Sequence, residues 1–347
     1  MRLPHSASNW LHKNFASMKH RALEFRAAAY TRQHLSRVPI RLCESNSTTV
    51  SLLNISKNTH GRLEIEMDKN WAKSKGGFST TWRRIGVFVD FLSTKAIPQG
   101  IWRAELGDWV QDDGPVAGFC SAHSRSLLIP DRGFLYSAGY AKQRQLAAQG
   151  PDWSKRKSGI VWRGTASGSG VYTTSQMDWQ DEKLLQRVRL CLLSQQLQRM
   201  DSTLPVDCAI TRIPHQDNLA AKRLHKAGVV GDRVPGHSWL NNQFAIDIDG
   251  NANAFTNFFI RLLFGCCVLK VASPHNFRQW YYDRLKPWVH FIPVAADLSD
   301  FETRIRWCFD HQHRCRDIAR AGQSLAFSMN YHHERQRAIK NLATATI

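Results

Sequence analysis

Asp108 is the side chain of this sequence best placed to act as a general base. It comes directly after Trp102 to Leu106, a run that predicts a β-strand, and it lies in the loop that Gly107 opens. An aspartate has an ordinary pKa of about 4, so its carboxylate is ionised at neutral pH and can accept a proton. The same pattern also fits an aspartate that caps a turn. The nearby aspartates that stay open as alternative bases are Asp112, Asp113 and Asp131.

A second group of residues is suited to hold a phosphate. The strand predicted over Ile160 to Arg163 leads into Gly164 and Thr165, and small residues continue as far as Gly170. Glycine lets a backbone approach a phosphate closely, and threonine contributes a hydroxyl donor. No Gly-Lys-Ser or Gly-Lys-Thr ends this loop, so it is not a Walker motif. A flexible turn is the alternative interpretation.

A third loop follows the apolar run Phe244 to Ile248. It contains Gly250, Asn251 and Asn253, and a helical run and then a second apolar run come after it. Strand, loop, helix and strand in this order form a βαβ unit, in which the helix N-terminus can hold a phosphate ester. We therefore expect residues 250–253 to approach a nucleotide.

These loops need strands and helices to position them. Val87 to Phe91 is predicted as another strand, Asp181 to Leu197 as a helix, and the polar segment 149–157 as a linker between domains. From Phe244 onward strands and helices alternate, which predicts an α/β protein with a mostly parallel sheet. The expected parts are an N-terminal domain over 1–150, a Rossmann-like domain over 151–325, and a C-terminal helix over 326–347 that packs back on the N-terminal domain.

The chain carries a large excess of positive charge. Its formal net charge is +19 and its isoelectric point is about 9.9, so it needs an anionic partner. A nucleotide-sugar diphosphate, an anionic membrane or lipid-linked glycan, and nucleic acid all fit that charge. The lack of zinc-finger spacing, of an RNP-type aromatic motif and of a basic low-complexity tail argues against nucleic acid. A basic helix predicted over 9–38 suits an anionic membrane surface or packing on the protein itself.

Cysteine usage and hydropathy indicate a compartment. The eight cysteines form no CxxC pair, which indicates reduced thiols and no zinc site. The N-terminus lacks the apolar core of a signal peptide, and no apolar segment is long enough to span a membrane. We therefore expect a cytoplasmic protein, with peripheral contact to the inner membrane as a further expectation.

Three stretches, in order along the chain, resemble glycosyltransferase family 90. The first is Leu106 to Trp109, followed by Leu128 to Asp131, and the second is Val161 to Thr165. The third begins at Ile246 and ends at Asp300. Its matching segments are Ile246–Asn251, Val268–Lys270, Gln279–Leu285, Pro287–Val294 and Asp297–Asp300.

This resemblance implies a GT-B fold, in which two Rossmann-like domains face each other across a cleft. It makes 1–150 the acceptor-side domain and 151–325 the nucleotide-sugar donor domain. It implies inverting transfer of a sugar from a UDP-sugar, the donor substrate, to an acceptor hydroxyl without a metal or other cofactor. It places the catalytic base at Asp108, and diphosphate contacts at Gly164, Thr165 and Arg187, whose planar guanidinium suits phosphate oxygens. Arg163 joins this candidate set.

Asp247 and Asp249 offer a different interpretation. Residues two apart on a strand face the same side, and such a carboxylate pair can bind Mg²⁺ or Mn²⁺ that bridges a diphosphate. Because the resemblance implies no metal, we expect Asp249 to order the turn at Gly250 and Asn251 instead.

The sequence departs from the family pattern at the start of the next helix. Relatives carry an arginine there that holds the diphosphate, whereas this chain has Phe258, with Arg261 one helical turn later. Arg261, a lysine of the N-terminal domain, or the helix N-terminus must then take its place.

The expected function is transfer of glucose or xylose to an acceptor in lipopolysaccharide or other surface-glycan biosynthesis. A protein O-glycosyltransferase is the alternative within this class. A non-catalytic basic protein that binds nucleic acid or an anionic membrane is the alternative outside it. Asp108 together with the loop at Arg163 and Gly164 favours an enzyme, because a binding module needs neither.

Overall fold

The computed structural model describes residues 38–44, 51–71, 79–214 and 218–345. The chain forms two compact units, one of residues 1–132 with 335–347 and the other of residues 133–334. The sequence placed the corresponding boundaries at 150/151 and 325/326. The basic helix predicted over 9–38 lies, except for its last residue, outside the described residues.

The first unit contains a mixed β-sheet. The strands in the described residues are β1 (Ile40–Cys43), β2 (Leu52–Lys57), β3 (Leu63–Asp68), β4 (Gly100–Glu105), β5 (Val116–Gly118) and β6 (Leu127–Leu128). They lie in the order β1-β3-β2-β4-β5-β6, with β2 antiparallel to β3 and β4 and the other pairs parallel. Strand β4 confirms the strand predicted before Asp108. It ends at Glu105, and Leu106, Gly107 and Asp108 follow it.

Helix α1 (Ser79–Leu92) belongs to the same unit. Its residues Ile85, Phe88 and Leu92 recur at spacings of three and four and are buried, as expected of a helix that packs by one face. The strand predicted at Val87 to Phe91 is wrong, since these residues lie in this helix. A short apolar run does not distinguish a strand from a buried helix segment.

The second unit carries a parallel α/β arrangement, so the predicted α/β class is confirmed. Its strands in the described residues are β7 (Ile160–Thr165), β8 (Val206–Arg212), β9 (Phe244–Asp247), β10 (Cys267–Val271) and β11 (Ile292–Val294). The α-helices that follow α1 in the described residues are α2 (Arg132–Tyr136), α3 (Ala141–Ala148), α4 (Gln186–Met200), α5 (Asn218–Lys226), α6 (Thr256–Leu263), α7 (Phe301–Asp310), α8 (Gln312–Ser328) and α9 (Tyr331–Ala343). In the part of the chain that the structure describes, no helix combines the length and apolarity needed to cross a bilayer.

Strand order reverses between β7 and β9. Strand β7 pairs with β8 on one side, and β9 pairs with β10, which in turn pairs with β11; all three pairings are parallel. On the other side of β7, Lys157 forms a parallel bridge with Asn242. The Lys157 N–H donates to the Asn241 carbonyl at 2.7 Å, and the Gln243 N–H donates to the Lys157 carbonyl at 2.8 Å. The chain therefore proceeds outward from β7 to β8 and then returns to start β9 on the opposite side. In open parallel sheets, ligands bind at the carboxyl ends of strands at such a reversal.

The segment 149–157, predicted as a linker between domains, belongs entirely to the second unit, so that prediction is wrong. The Arg156 guanidinium donates to the carbonyls of Phe264 and Gly265 at 2.8 and 2.9 Å. These contacts join residues more than a hundred positions apart, so the polar composition of the segment does not reveal them.

Register in the second sheet brings three charged side chains together. Lys270 pairs with Asp247 across β9 and β10, and Asp249 lies on the same side two residues later. The Lys270 Nζ lies 2.9 Å from Asp247 Oδ2 and 2.8 Å from Asp249 Oδ1, and all three side chains are buried. Burial alone lowers the pKa of Lys270, but the two carboxylate charges outweigh it and raise that pKa. An ammonium group therefore lies between the two carboxylates that resembled a metal-binding pair.

Replacing Lys270 with methionine leaves Asp247 and Asp249 without their cation. We expect Lys270→Met to lower the free energy of unfolding by about 3–5 kcal/mol, because uncompensated charge stays buried. Urea denaturation at neutral pH, where Lys270 is fully protonated, measures the change. The triple variant Asp247→Asn, Asp249→Asn, Lys270→Met removes all three charges and should be more stable than Lys270→Met. A Lys270→Met protein as stable as the wild type would contradict the ion triplet.

Candidate active site

A cavity of about 430 Å³ opens where β7 and β9 separate. Its walls come from β7, β9, the end of β8, the segment before β9, and α6. Its volume lies within the range of small-molecule sites. Five arginines line it, namely Arg163, Arg187, Arg212, Arg233 and Arg261, and the acidic side chain among its lining residues is Asp247. Because Lys270 already balances Asp247, the cavity has a strongly positive interior.

Arg261 is the buried cation of this cavity that retains hydrogen-bonding capacity. Its side chain extends from α6, the residue is 8% exposed, and its guanidinium carbon lies 3.8 Å from the centroid of the Trp239 ring. Its Nε has no hydrogen-bond partner among the described residues. Burial lowers the pKa of Arg261 to about 10, so it remains charged at neutral pH. A stacked guanidinium with an unpartnered donor is suited to bind an anion.

Arg187 joins the two loops at the strand reversal. Its Nε donates to the Asp249 carbonyl at 2.8 Å, and its Nη2 donates to the Ile248 carbonyl at 3.0 Å. Its Nη1 donates to the Thr165 carbonyl and to the Ser167 hydroxyl, both at 2.9 Å. Burial lowers the pKa of Arg187, and the nearby carboxylates oppose that shift. The guanidinium is thus a cross-link between loops, and its predicted role as a phosphate ligand stays a prediction.

Arg163 lines the cavity but is bound to β8. It donates to the Trp162 and Asp207 carbonyls, each at 2.9 Å, and to the Asp207 carboxylate at 2.5 Å. Its side chain is 15% exposed. Its charge is therefore already paired, which fits a role in holding β7 and β8 together.

Gly164 and Thr165 line the cavity from the last two positions of β7. The strand is thus two residues longer than the predicted run Ile160 to Arg163, and the placement of these two residues in a loop is wrong. Their predicted contacts with a diphosphate stay predictions. A Cβ on Gly164 would lie 2.4 Å from the Trp162 ring, so glycine lets that indole pack against the backbone. The carbonyls of both residues accept hydrogen bonds, from Thr211 and from Arg187 respectively.

The turn at Gly250, Asn251 and Asn253 does not contribute to the lining of the cavity. Asn251 Oδ1 accepts the N–H of Gly168 at 3.1 Å, which ties this turn to the β7 loop. Asn253 is buried, and its amide donates to both Asp249 carboxylate oxygens and to the Phe277 carbonyl. These side chains hold the turn in shape, and direct nucleotide contacts from them stay predictions.

Asp108 lies in the first unit, in the loop after β4. Arg84 of α1 donates to its Oδ1 at 2.8 Å, and the Asp108 side chain is 39% exposed. In the described residues no hydrogen bond reaches the other oxygen, Oδ2. Of the alternative bases, Asp112 is bound by Arg103, which lowers the pKa of Asp112, and Asp131 is buried. In Asp108, Arg84 thus holds Oδ1, while Oδ2 carries no hydrogen bond from the described residues.

Comparison with known proteins shows the family of the chain. The profile of Glycosyl transferase family 90 matches residues 140–332, more than half of the chain. Uncharacterized protein 035R of Invertebrate iridescent virus 3 is 31% identical over 169 residues, which are 48% of this chain and 14% of that protein. Protein O-glucosyltransferase 2 of Danio rerio is 26% identical over 241 residues, 64% of this chain and 42% of that protein. Protein O-glucosyltransferase 3 of Rattus norvegicus is 24% identical over 272 residues, 70% of this chain and 48% of that protein.

The chain spans less than half the length of these relatives. Among solved structures, Anabaena Alr3699/HepE in complex with UDP-glucose is 13% identical and matches with a TM-score of 0.39, over 78% of this chain and 69% of that one. A likeness at this score carries no weight for fold or ligand. The profile match over residues 140–332, which includes the cavity, shows that the chain belongs to glycosyl transferase family 90.

Proposed function

We propose that the protein transfers a sugar, glucose or xylose, from a UDP-sugar to an acceptor hydroxyl in surface-glycan biosynthesis, such as that of lipopolysaccharide. The observation that carries this proposal is the arginine-lined cavity at the strand reversal, with Arg261 buried and its Nε unpartnered. A diphosphate supplies the negative charge that this cavity lacks. The protein O-glucosyltransferase relatives support a glucosyl donor, and they keep a protein hydroxyl as a second candidate acceptor.

The reaction that we propose is a single displacement. The acceptor oxygen attacks the anomeric carbon, the bond from that carbon to the diphosphate oxygen breaks, and UDP leaves with the electron pair. The acceptor proton passes to the carboxylate of Asp108. Attack opposite the leaving group inverts the anomeric carbon. UDP carries more negative charge as it leaves than while bound to the sugar, so Arg261 stabilises the transition state more than the bound donor.

The charge of the diphosphate is balanced in this proposal by arginine and not by a metal ion. Lys270 already lies between Asp247 and Asp249, the carboxylate pair that a metal would need. All eight cysteines are free thiols, which supports a reducing compartment and hence the cytoplasmic side of the inner membrane.

The first test is nucleotide binding. We expect UDP to raise the melting temperature of the wild type in the presence of EDTA, because a ligand specific for the native state stabilises it by about 2.7 kcal/mol at a hundred times its Kd. Arg261→Met should lose most of that shift, since a charge-assisted bond to phosphate is worth roughly 1.5–3 kcal/mol. Arg314→Met, at an exposed arginine of α8 outside the cavity, is the matched control.

Each contrary outcome of this test would contradict a different part of the proposal. Loss of the shift in EDTA would restore the metal interpretation of Asp247 and Asp249. A normal shift in Arg261→Met would remove Arg261 as the phosphate ligand. The absence of a shift with any nucleotide would contradict the proposed function.

The second test concerns Arg187. Because its donors bind carbonyls of two loops, we expect Arg187→Lys to lower the free energy of unfolding by roughly 1.5–3 kcal/mol even though the charge is kept. Urea denaturation measures this loss, and UDP titration of the same protein measures binding. If Arg187 acts only as a charged phosphate ligand, Arg187→Lys will instead unfold as the wild type does and bind UDP with slightly reduced affinity.

The third test concerns Asp108. Asp108→Asn keeps the shape of the side chain but cannot accept the acceptor's proton, so we expect kcat to fall by about 10²–10⁴-fold. UDP affinity and melting temperature should change little, because the cavity is built from residues of the other unit. Asp113→Asn in the same loop serves as the control and should keep most activity. An Asp108→Asn enzyme with the kcat of the wild type would show that another group is the base.

A further inference from the structure

One arginine holds the loop that carries Asp108. Arg84 Nη1 donates to the carbonyls of Leu106 and Gly107 at 2.5 and 2.7 Å, and Nη2 donates to Asp108 Oδ1 at 2.8 Å. The Arg84 side chain is 14% exposed. Three acceptors on three consecutive residues therefore share one planar group, which fixes the loop relative to α1.

The position of Arg84 is itself fixed by packing. Arg84 precedes Ile85 on α1, and both Ile85 and Phe88 of that helix are buried. The Arg84 guanidinium lies 6.0 Å from the centroid of the Phe119 ring, and Phe119 stacks on Phe88 with ring centroids 5.1 Å apart. The guanidinium thus has an aromatic surface beside it that restricts its rotamers.

Glu105 binds the same loop at the peptide unit between Leu106 and Gly107, whose carbonyl accepts from Arg84. Its Oε1 accepts the N–H of Gly107 at 2.6 Å, and the residue is 1% exposed. Burial raises the pKa of the Glu105 carboxyl, and hydrogen bonds with Ser51 and with the loop N–H groups oppose that shift. Gly107 is therefore fixed through its N–H by Glu105 and through its C=O by Arg84.

We propose that Arg84 is a positioning residue for Asp108, an inference that rests on the proposed function with Asp108 as the base. The bond from Arg84 occupies Oδ1 and orients the carboxylate so that Oδ2 is presented to the acceptor hydroxyl. In the transfer, the O–H bond of the acceptor breaks and a new O–H bond forms on Oδ2, while Oδ1 keeps its bond to Arg84. Arg84 does not touch the substrate and acts through Asp108.

A double-mutant cycle in the full chain tests this inference. We expect Arg84→Met to lower kcat by about 10²-fold, since a displacement of about 1 Å in a catalytic group costs that much, with the Kd of UDP unchanged. Asp108→Asn combined with Arg84→Met should be no slower than Asp108→Asn alone, because Arg84 acts through the carboxylate that Asn replaces. A double variant slower by the product of the two single effects would overturn the inference.

Further variants distinguish a loss of Asp108 positioning from a loss of folding stability. Arg84→Ala should recover part of its kcat when guanidinium is added at concentrations that do not unfold the protein, and Arg84→Lys should lie between Arg84→Met and the wild type. Arg83→Met, at the exposed neighbouring arginine of α1, should keep wild-type kcat and show no response to guanidinium. Loss of kcat in Arg84→Ala with an unchanged melting temperature and no rescue would also overturn the inference.

These outcomes are distinguishable from failure of the proposed function. A wild-type protein that binds UDP and transfers sugar, but loses nothing in Arg84→Met, contradicts only the role of Arg84. An active wild type whose Asp108→Asn variant is fully active contradicts both the base and its positioning residue. A wild type with neither nucleotide binding nor transfer contradicts the proposed function itself.

Discussion

Buried positive charge is the constraint on which the second unit depends. Among its described residues, four cations are less than one-tenth exposed, namely Arg187, Arg189, Arg261 and Lys270. A charge taken out of water is costly unless other groups compensate it. Lys270 binds both Asp247 and Asp249, so these carboxylates are largely committed to one cation. The three arginines must be compensated in another way.

Two of them use backbone carbonyls, and the third does not. Arg187 donates to carbonyls at the ends of β7 and β9, and Arg189 donates to those of Trp179 and Asp297 at 2.7 and 2.9 Å. Arg261 has the Trp239 ring and an unpartnered Nε. The burial of Arg261 therefore carries an electrostatic cost that a bound anion would offset. Such a cost lowers stability and raises affinity, as is common where activity and stability compete.

The sequence predicted what depends on local pattern and missed what depends on distant contacts. Runs such as Phe244 to Ile248 predicted the parallel strands, because strands buried on both faces are continuously apolar. The same rule failed at Val87 to Phe91, since a short buried segment of a helix is equally apolar. The Lys270 triplet follows from strand register, and the Arg156 contacts follow from tertiary packing. Neither leaves a pattern along the chain, although the spacing of Asp247 and Asp249 showed correctly that they share one side.

The role of an arginine is the property that sequence distinguishes least well here. Arg84, Arg156, Arg187 and Arg261 look alike as isolated letters, yet the first three donate to loop carbonyls and the last has a donor left over. A guanidinium that donates to several carbonyls fixes loop geometry, because its planar fork holds acceptors at set directions. One that stacks on an aromatic ring and keeps a free donor is suited to bind an anion. Arg163 also has an unpartnered Nε, but its Nη atoms bind Asp207 and the Trp162 carbonyl. An unsatisfied donor combined with stacking on an aromatic ring therefore directs attention to Arg261 and not to Arg187.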